Sequence, residues 1–273
     1  MVSRRVSYGP PRTPSSTWPL AALVRRHDPD RFLTALFAPA EQRPALFALY
    51  AFNHELARAR EVTKEPAIAL IRLHWWREVV QGAQRAHEVA APLRAALDAG
   101  ALAEADLLGV IDAREVEVDP HIETLDDWRA YLLGSAGGVA VAAARLLRAA
   151  SPEAFRPLGA AFGAAGVLRS TTLLARQQRC LLPAEVLAAH GLTPYDVIAA
   201  PAAPSVGQAI AALADEARRF LAGAPHPGRG DPALAAALPA VLAARDLGRA
   251  PHFAPYRTLA DRLAVTRAGL FGL

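Results

Sequence analysis

Two stretches of this chain hold charged residues at spacings that could act on an anionic substrate. The first, Gly163 to Pro183 (GAAGVLRSTTLLARQQRCLLP), carries Arg169, Arg176 and Arg179. Guanidinium groups attract phosphate or carboxylate and offer paired donors to it. The second, Leu46 to Val62 (LFALYAFNHELARAREV), carries Glu55, Arg58 and Glu61. Glu55 and Glu61 could hold one divalent cation weakly, because a hard cation wants several carboxylate oxygens and Arg58 beside them repels it. The plainer reading leaves these as solvated helix charges, with Glu61 pairing with Arg58 at i, i+3 for roughly a few tenths of a kcal/mol.

Other chemistries are excluded by what is missing. There is no Walker loop, Rossmann glycine fingerprint, zincin histidine pair or nucleophile elbow; Ser135 in GSAGG has the wrong glycine spacing and falls inside a predicted helix. The eight histidines show no metal-ligand spacing, and His74 beside Trp75 and Trp76 reads as a packed or surface residue. The lone Cys180 cannot form an intramolecular disulfide and fits a reducing compartment. The net charge of +4 comes almost wholly from arginines that alternate with acidic residues, Lys64 being the only lysine. That excess suits an anionic membrane surface or a diphosphate, but no basic run with interleaved aromatics marks a nucleic-acid groove, so no nucleic-acid partner is expected.

The elements that must position these residues are helices. Ala, Leu and Arg dominate, β-branched residues are sparse, and apolar residues recur at three and four. Residues 1–18 read as a disordered tail and 19–273 as one helical domain. Asp28-Pro29 predicts an N-cap with proline in the first turn. A helix over Ala40 to Val62 puts Leu46, Leu49, Tyr50, Asn53, Leu56 and Ala57 on one face, with Asn53 its polar exception. Of Trp75 and Trp76, one is expected in the core and the other at a groove. Thr124 and Asp127 predict a capping box opening a helix to about Arg148, whose small residues GSAGGVAVAAA either let helices approach or widen a cavity. Ser151-Pro152 should cap a helix lasting nearly to Pro183. About ten helices are expected. The longest uncharged run, Val197 to Ala214, contains Pro201, Pro204, Gly207 and Gln208, which argues against a membrane span.

Three segments carry a family resemblance. Leu46 to Val62 is similar to the first Asp-rich helix of the squalene/phytoene synthase family, the head-to-head prenyl transferases, where Tyr-Ala-Phe precedes Cys-Arg and D-x-x-x-D. IDAREVEVDPHIETLDDWRAYLLGSAGGVA resembles the family's middle segment leading into its Tyr-x-x-x-Ala-Gly helix. VLRSTTLLARQQRCLLP aligns without a gap to the second Asp-rich helix, I-L-R-D-x-x-E-D followed by G-R-x-Y-L-P. The resemblance covers roughly residues 28 to 192. It implies an all-α, single-domain bundle of the isoprenoid synthase type with a central cavity, to which Tyr50, Asn53, Gly138 and Gly166 are assigned.

In that family, magnesium ions on facing D-x-x-x-D pairs clamp the leaving diphosphate, and an apolar cavity shields the allylic cation from water. Here the aspartate positions are Ala57 and Glu61 on one helix and Ser170 and Leu174 on the other. Three of four carboxylates are gone, so no catalytic residue and no metal site is expected, and Mg2+ enters only if the chain is an active prenyl transferase with unusual ligands. Arg58, Arg169, Arg176 and Arg179 are the expected diphosphate contacts. YAFNHELARARE, IRLHWWRE and IDAREVE resemble the branch of the family that includes a mitochondrial assembly factor for respiratory complex I and its bacterial relatives. The resemblance therefore implies a non-catalytic factor whose partners are respiratory assembly intermediates and a prenyl lipid. It would be cytoplasmic and peripheral to the inner membrane, or on the matrix side in a eukaryote. An isoprenoid or quinone carrier is the third reading.

Overall fold

The structure, a computed structural model, describes residues 17–63, 65–119 and 121–273. The tail expected over 1–18 lies outside them, except that Thr17 and Trp18 already belong to the first helix.

The chain is helical throughout, with no β-sheet among the described residues. It opens with α1 (Thr17–His27), α2 (Pro29–Ala35), α3 (Arg43–Glu61), α4 (Pro66–Val80) and α5 (Ala90–Asp98). It continues with α6 (Glu104–Arg114), α7 (Leu125–Gly134), α8 (Ala136–Leu146), α9 (Arg156–Arg169) and α10 (Thr171–Arg176). Then come α11 (Ala184–Ala189), α12 (Pro194–Ala199), α13 (Pro204–Arg218), α14 (Leu234–Ala237), α15 (Pro239–Arg249) and α16 (Leu259–Phe271).

The local signals hold where side chains cap the backbone. Asp28 accepts the Arg31 amide at 3.0 Å, and Thr124 with Asp127 forms a full capping box. The helix count exceeds the expectation of about ten in part because two expected long helices are broken. The one expected from Thr124 to Arg148 breaks at Ser135, whose ψ of −84° is non-helical and whose hydroxyl donates to the Tyr131 carbonyl at 2.6 Å. The one from Ser151 starts with a 3-10 turn at Pro152–Phe155 and breaks again at Ser170, just before Thr171 donates back to the Leu168 carbonyl at 2.9 Å. Pro239 separates α14 from α15, since a proline has no amide to continue the ladder.

α8 and α9 form the centre. One apolar core gathers α1, α3, α4, α5, α6 and α8, and a second gathers α7, α9, α13 and α15. The small residues of α8 serve close approach. A Cβ on Gly159 would lie 2.3 Å from the Ala136 carbonyl oxygen and 2.6 Å from the Ala140 Cβ, and one on Gly163 would lie 2.6 Å from the Ala136 Cβ. No side chain larger than hydrogen fits there, so these backbones touch where a cavity was the other outcome.

Candidate functional site

α3 holds the first pair of motif positions at its C-terminal end. Ala57 and Arg58 are half-buried and Glu61 is exposed. Arg58 does not pair with Glu61; its guanidinium lies 3.1 Å from Glu55. Glu55 is buried, so its charge has the greater need of a partner, whereas Glu61 is solvated. The second pair sits at the break between α9 and α10, with Ser170 ending one helix and half-buried Leu174 packing into the second core.

A buried polar chain joins the two motif regions. From α3, one turn before Ala57, the Asn53 Oδ1 accepts from Arg114 of α6 at 3.0 Å. Arg114 also pairs with Glu117 in the 3-10 turn after α6. The Glu117 carboxylate accepts from the Tyr131 hydroxyl at 2.8 Å and from Arg179, just beyond α10, at 3.0 Å. Burial pushes the Glu117 carboxyl up, but the guanidinium groups of Arg114 and Arg179 and their hydrogen bonds outweigh it and hold the group below the usual carboxylate range. Burial works against the charged Arg114, yet Glu117 and the more distant Glu61 raise it, so the ion cluster is charged at neutral pH. Glu117 was not singled out in the sequence. Its signals are a carboxylate between Val116 and Val118 and an arginine three residues earlier, both weak alone.

The expected anion-binding arginines are mostly occupied by the chain's own carboxylates. Arg58 is held by Glu55, Arg179 by Glu117, and Arg169 by Asp246 of α15 at 3.0 Å. Asp246 is buried and also binds Arg257, which reaches Asp30 of α2 at 2.6 Å. Arg169 and Arg176 are both exposed, and Arg176 alone of the four pairs with no carboxylate among the described residues. Arg169 also borders an open groove of about 690 Å3 between α9, α13 and the segment at Pro251 and Phe253.

The four residues assigned to a central cavity are not brought together. Tyr50 lines a small cavity with Ala136, Val139, Gly159 and Phe162, but it measures about 10 Å3, room for about one water. Arg31 fills the rest. It is buried, tied to Asp28 at 2.9 Å, and lies over the rings of Tyr50 and Phe162 at 5.6 and 4.8 Å. Asn53 belongs to the ion cluster. Gly138 packs on α6, where a Cβ would stand 2.8 Å from Val110, and Gly166 is exposed with nothing within 4 Å. The assignment of Gly138 and Gly166 to a cavity is corrected accordingly: helix packing claims one and solvent the other.

The donor set does not fit the magnesium cluster that the fold type would call for. Ala57 and Leu174 have no oxygen to offer, the Glu55 and Glu117 carboxylates are engaged by arginines, and Glu61 stands alone. Among the described residues no three His, Cys, Asp or Glu side chains come together as a metal site. Elsewhere, Trp76 is buried while Trp75 borders a groove with Ile71, Arg72 and His87, as the pair's opposite faces imply. No described helix is long and apolar enough to cross a membrane.

A family profile described as squalene/phytoene synthase matches residues 24–268. The chain is 27% identical over 207 residues to human NADH dehydrogenase (ubiquinone) complex I, assembly factor 6, covering 73% of this chain and 62% of that protein. It is 32% identical over 197 residues to the Drosophila melanogaster homolog of that factor, covering 65% and 57%. The chain thus spans about three fifths of the length of these relatives. Among solved structures, a dehydrosqualene synthase in complex with ligand superposes with a TM-score of 0.73 at 15% identity, over 93% of this chain and 95% of that one. Squalene synthase HpnC from Alicyclobacillus acidocaldarius superposes with a TM-score of 0.65 at 19% identity, over 85% and 92%.

Proposed function

The chain belongs to the squalene/phytoene synthase family, and we propose that it is a non-catalytic member that assists assembly of a respiratory NADH dehydrogenase complex. The observation that carries this is the polar cluster Asn53–Arg114–Glu117–Arg179, which joins the first motif helix to the segment just after the second through the protein's own side chains. A diphosphate leaving group needs several positive charges free at the moment of ionisation. Here Glu55, Glu117 and Asp246 already hold three of the four arginines that would supply them, leaving Arg176, and among the described residues no carboxylate set remains to bring in magnesium. The relatives named as complex I assembly factors support the direction of the reading.

The partner in this reading is an assembly intermediate of the complex, met on the outside of the bundle. The location is the face of the membrane where that complex is built. A bound prenyl lipid, or a carrier role, would require the space around Arg31 to open, since the cavity of about 10 Å3 cannot admit a chain. No metal or cofactor is part of the proposal.

The experiment is a pair of measurements on the purified protein and its cell extract. Incubation with farnesyl or geranylgeranyl diphosphate and magnesium is expected to release no pyrophosphate, while the tagged chain co-purifies with NADH dehydrogenase subunits. Turnover that Glu61→Ala abolishes would overturn the proposal.

A further inference from the structure

The surface of α16 shows an arrangement that the assembly reading does not use. Asp261, Val265 and Ala268 turn inward. At 100° per residue, Leu259, Leu263 and Leu270 fall in one narrow line on the opposite side. Each is exposed, Leu259 by 73% and Leu263 by 58%. Thr266 lies in the same line, and its hydroxyl is turned back onto the Arg262 carbonyl at 2.9 Å. Phe271, 69% exposed, lies off the line, beyond the Arg267 edge at the end of the helix.

Arginines flank the line on both sides. Arg262 projects on one edge and Arg267 on the other, both exposed and neither paired with a carboxylate. The undescribed residues contain no Asp or Glu that could pair with them. The Arg229 loop adjoins the end of the helix, where Gly228 bridges Gly272 and Pro227 accepts the Leu273 amide at 3.1 Å. The one carboxylate on α16, Asp261, is buried and held by Arg245 and Arg249. Asp231 beside the loop caps the Ala233 amide at 2.8 Å.

We propose that this face of α16 is a membrane-contact surface for an anionic phospholipid bilayer, lying in the plane of the headgroups. Apolar side chains at the centre enter the acyl boundary and flanking arginines reach phosphates, which is the charge and shape complementarity of an interfacial helix. A protein partner of ordinary surface composition would leave the unpaired arginines facing mixed charge, whereas a bilayer presents phosphate along the whole length, about 20 Å for thirteen residues. The inference stands independently of the assembly reading.

The test is co-sedimentation of the full chain with vesicles of phosphatidylglycerol and phosphatidylcholine, compared with phosphatidylcholine alone. The wild type is expected in the pellet with anionic vesicles, less so as salt rises. Leu263→Glu with Leu270→Glu, and separately Arg262→Ser with Arg267→Ser, should each lower the bound fraction about tenfold. All four positions are exposed, and unchanged circular dichroism melts establish that the variants fold. Wild-type protein that stays in the supernatant, or variants that bind as it does, would overturn the proposal. A dimer in gel filtration that Leu263→Glu converts to monomer would also overturn it, by assigning the face to a second copy. Protection of α16 in hydrogen exchange by a protein partner, without lipid, would assign it to that partner instead.

Discussion

Glu117→Gln keeps the shape of the side chain and removes its charge. Arg114 and Arg179, both ion-paired to it, the first half-buried and the second buried, would then face each other without a counter-ion. At an effective dielectric constant of about 20, each charge pair at contact is worth up to about 4 kcal/mol before desolvation. Removing one partner from a buried pair typically costs about 3–5 kcal/mol, the range expected here. Tyr131→Phe deletes only one hydrogen bond to the same carboxylate and should cost about 1.5–3 kcal/mol. Urea unfolding followed by the fluorescence of buried Trp76 and Trp128 reads both. The sign with pH follows from the depressed carboxyl. Its contribution is complete above the ordinary value near 4.5 and is lost as pH falls through the lower folded value. The gap between wild type and Glu117→Gln should therefore narrow in acid. A gap under about 1 kcal/mol at neutral pH, or one that stays constant down to strong acid, would refute the view that this cluster ties the motif helices together.

Three further outcomes are expected. Gly159→Ala should lose about 1–3 kcal/mol in denaturant unfolding, because its Cβ would sit 2.3 Å from a carbonyl oxygen, whereas exposed Gly166→Ala should gain about 0.5–1 kcal/mol. Cys180 is buried and its thiol is pushed up by burial, so a chromogenic disulfide reagent should react with it only after denaturant is added. Millimolar magnesium should leave the melting temperature unchanged, because a ligand stabilises only the folded state that binds it.

The fold was largely legible because helix signals are local. Periodic leucines and alanines set α3, Asp28 and Thr124 set their caps, and the Leu-Arg and Leu-Pro landmarks fixed the frame of the second motif. The breaks at Ser135 and Ser170 were not, since a hydroxyl turning back on its own helix, that of Ser135 at the first and of Thr171 at the second, leaves no pattern at a distance. The site was half legible. The missing carboxylates at Ala57, Ser170 and Leu174 can be read directly, but what compensates for them cannot. Asp30, Asp246 and Arg257 converge from separate parts of the chain, and Glu117 meets Arg179 across sixty-two positions. Nor could composition decide between close packing and a cavity at GSAGGVAVAAA; that depended on which helix lay opposite, and Gly159 and Gly163 of α9 settled it.

The most direct test of the account is complementation in cells from which the chain's gene has been deleted. The account predicts that deletion lowers membrane NADH dehydrogenase activity and that Glu61→Ala restores it as fully as the wild type, because no metal chemistry passes through that carboxylate. Deletion that leaves the NADH dehydrogenase intact but abolishes an isoprenoid product, with Glu61→Ala failing to restore that product, would contradict it.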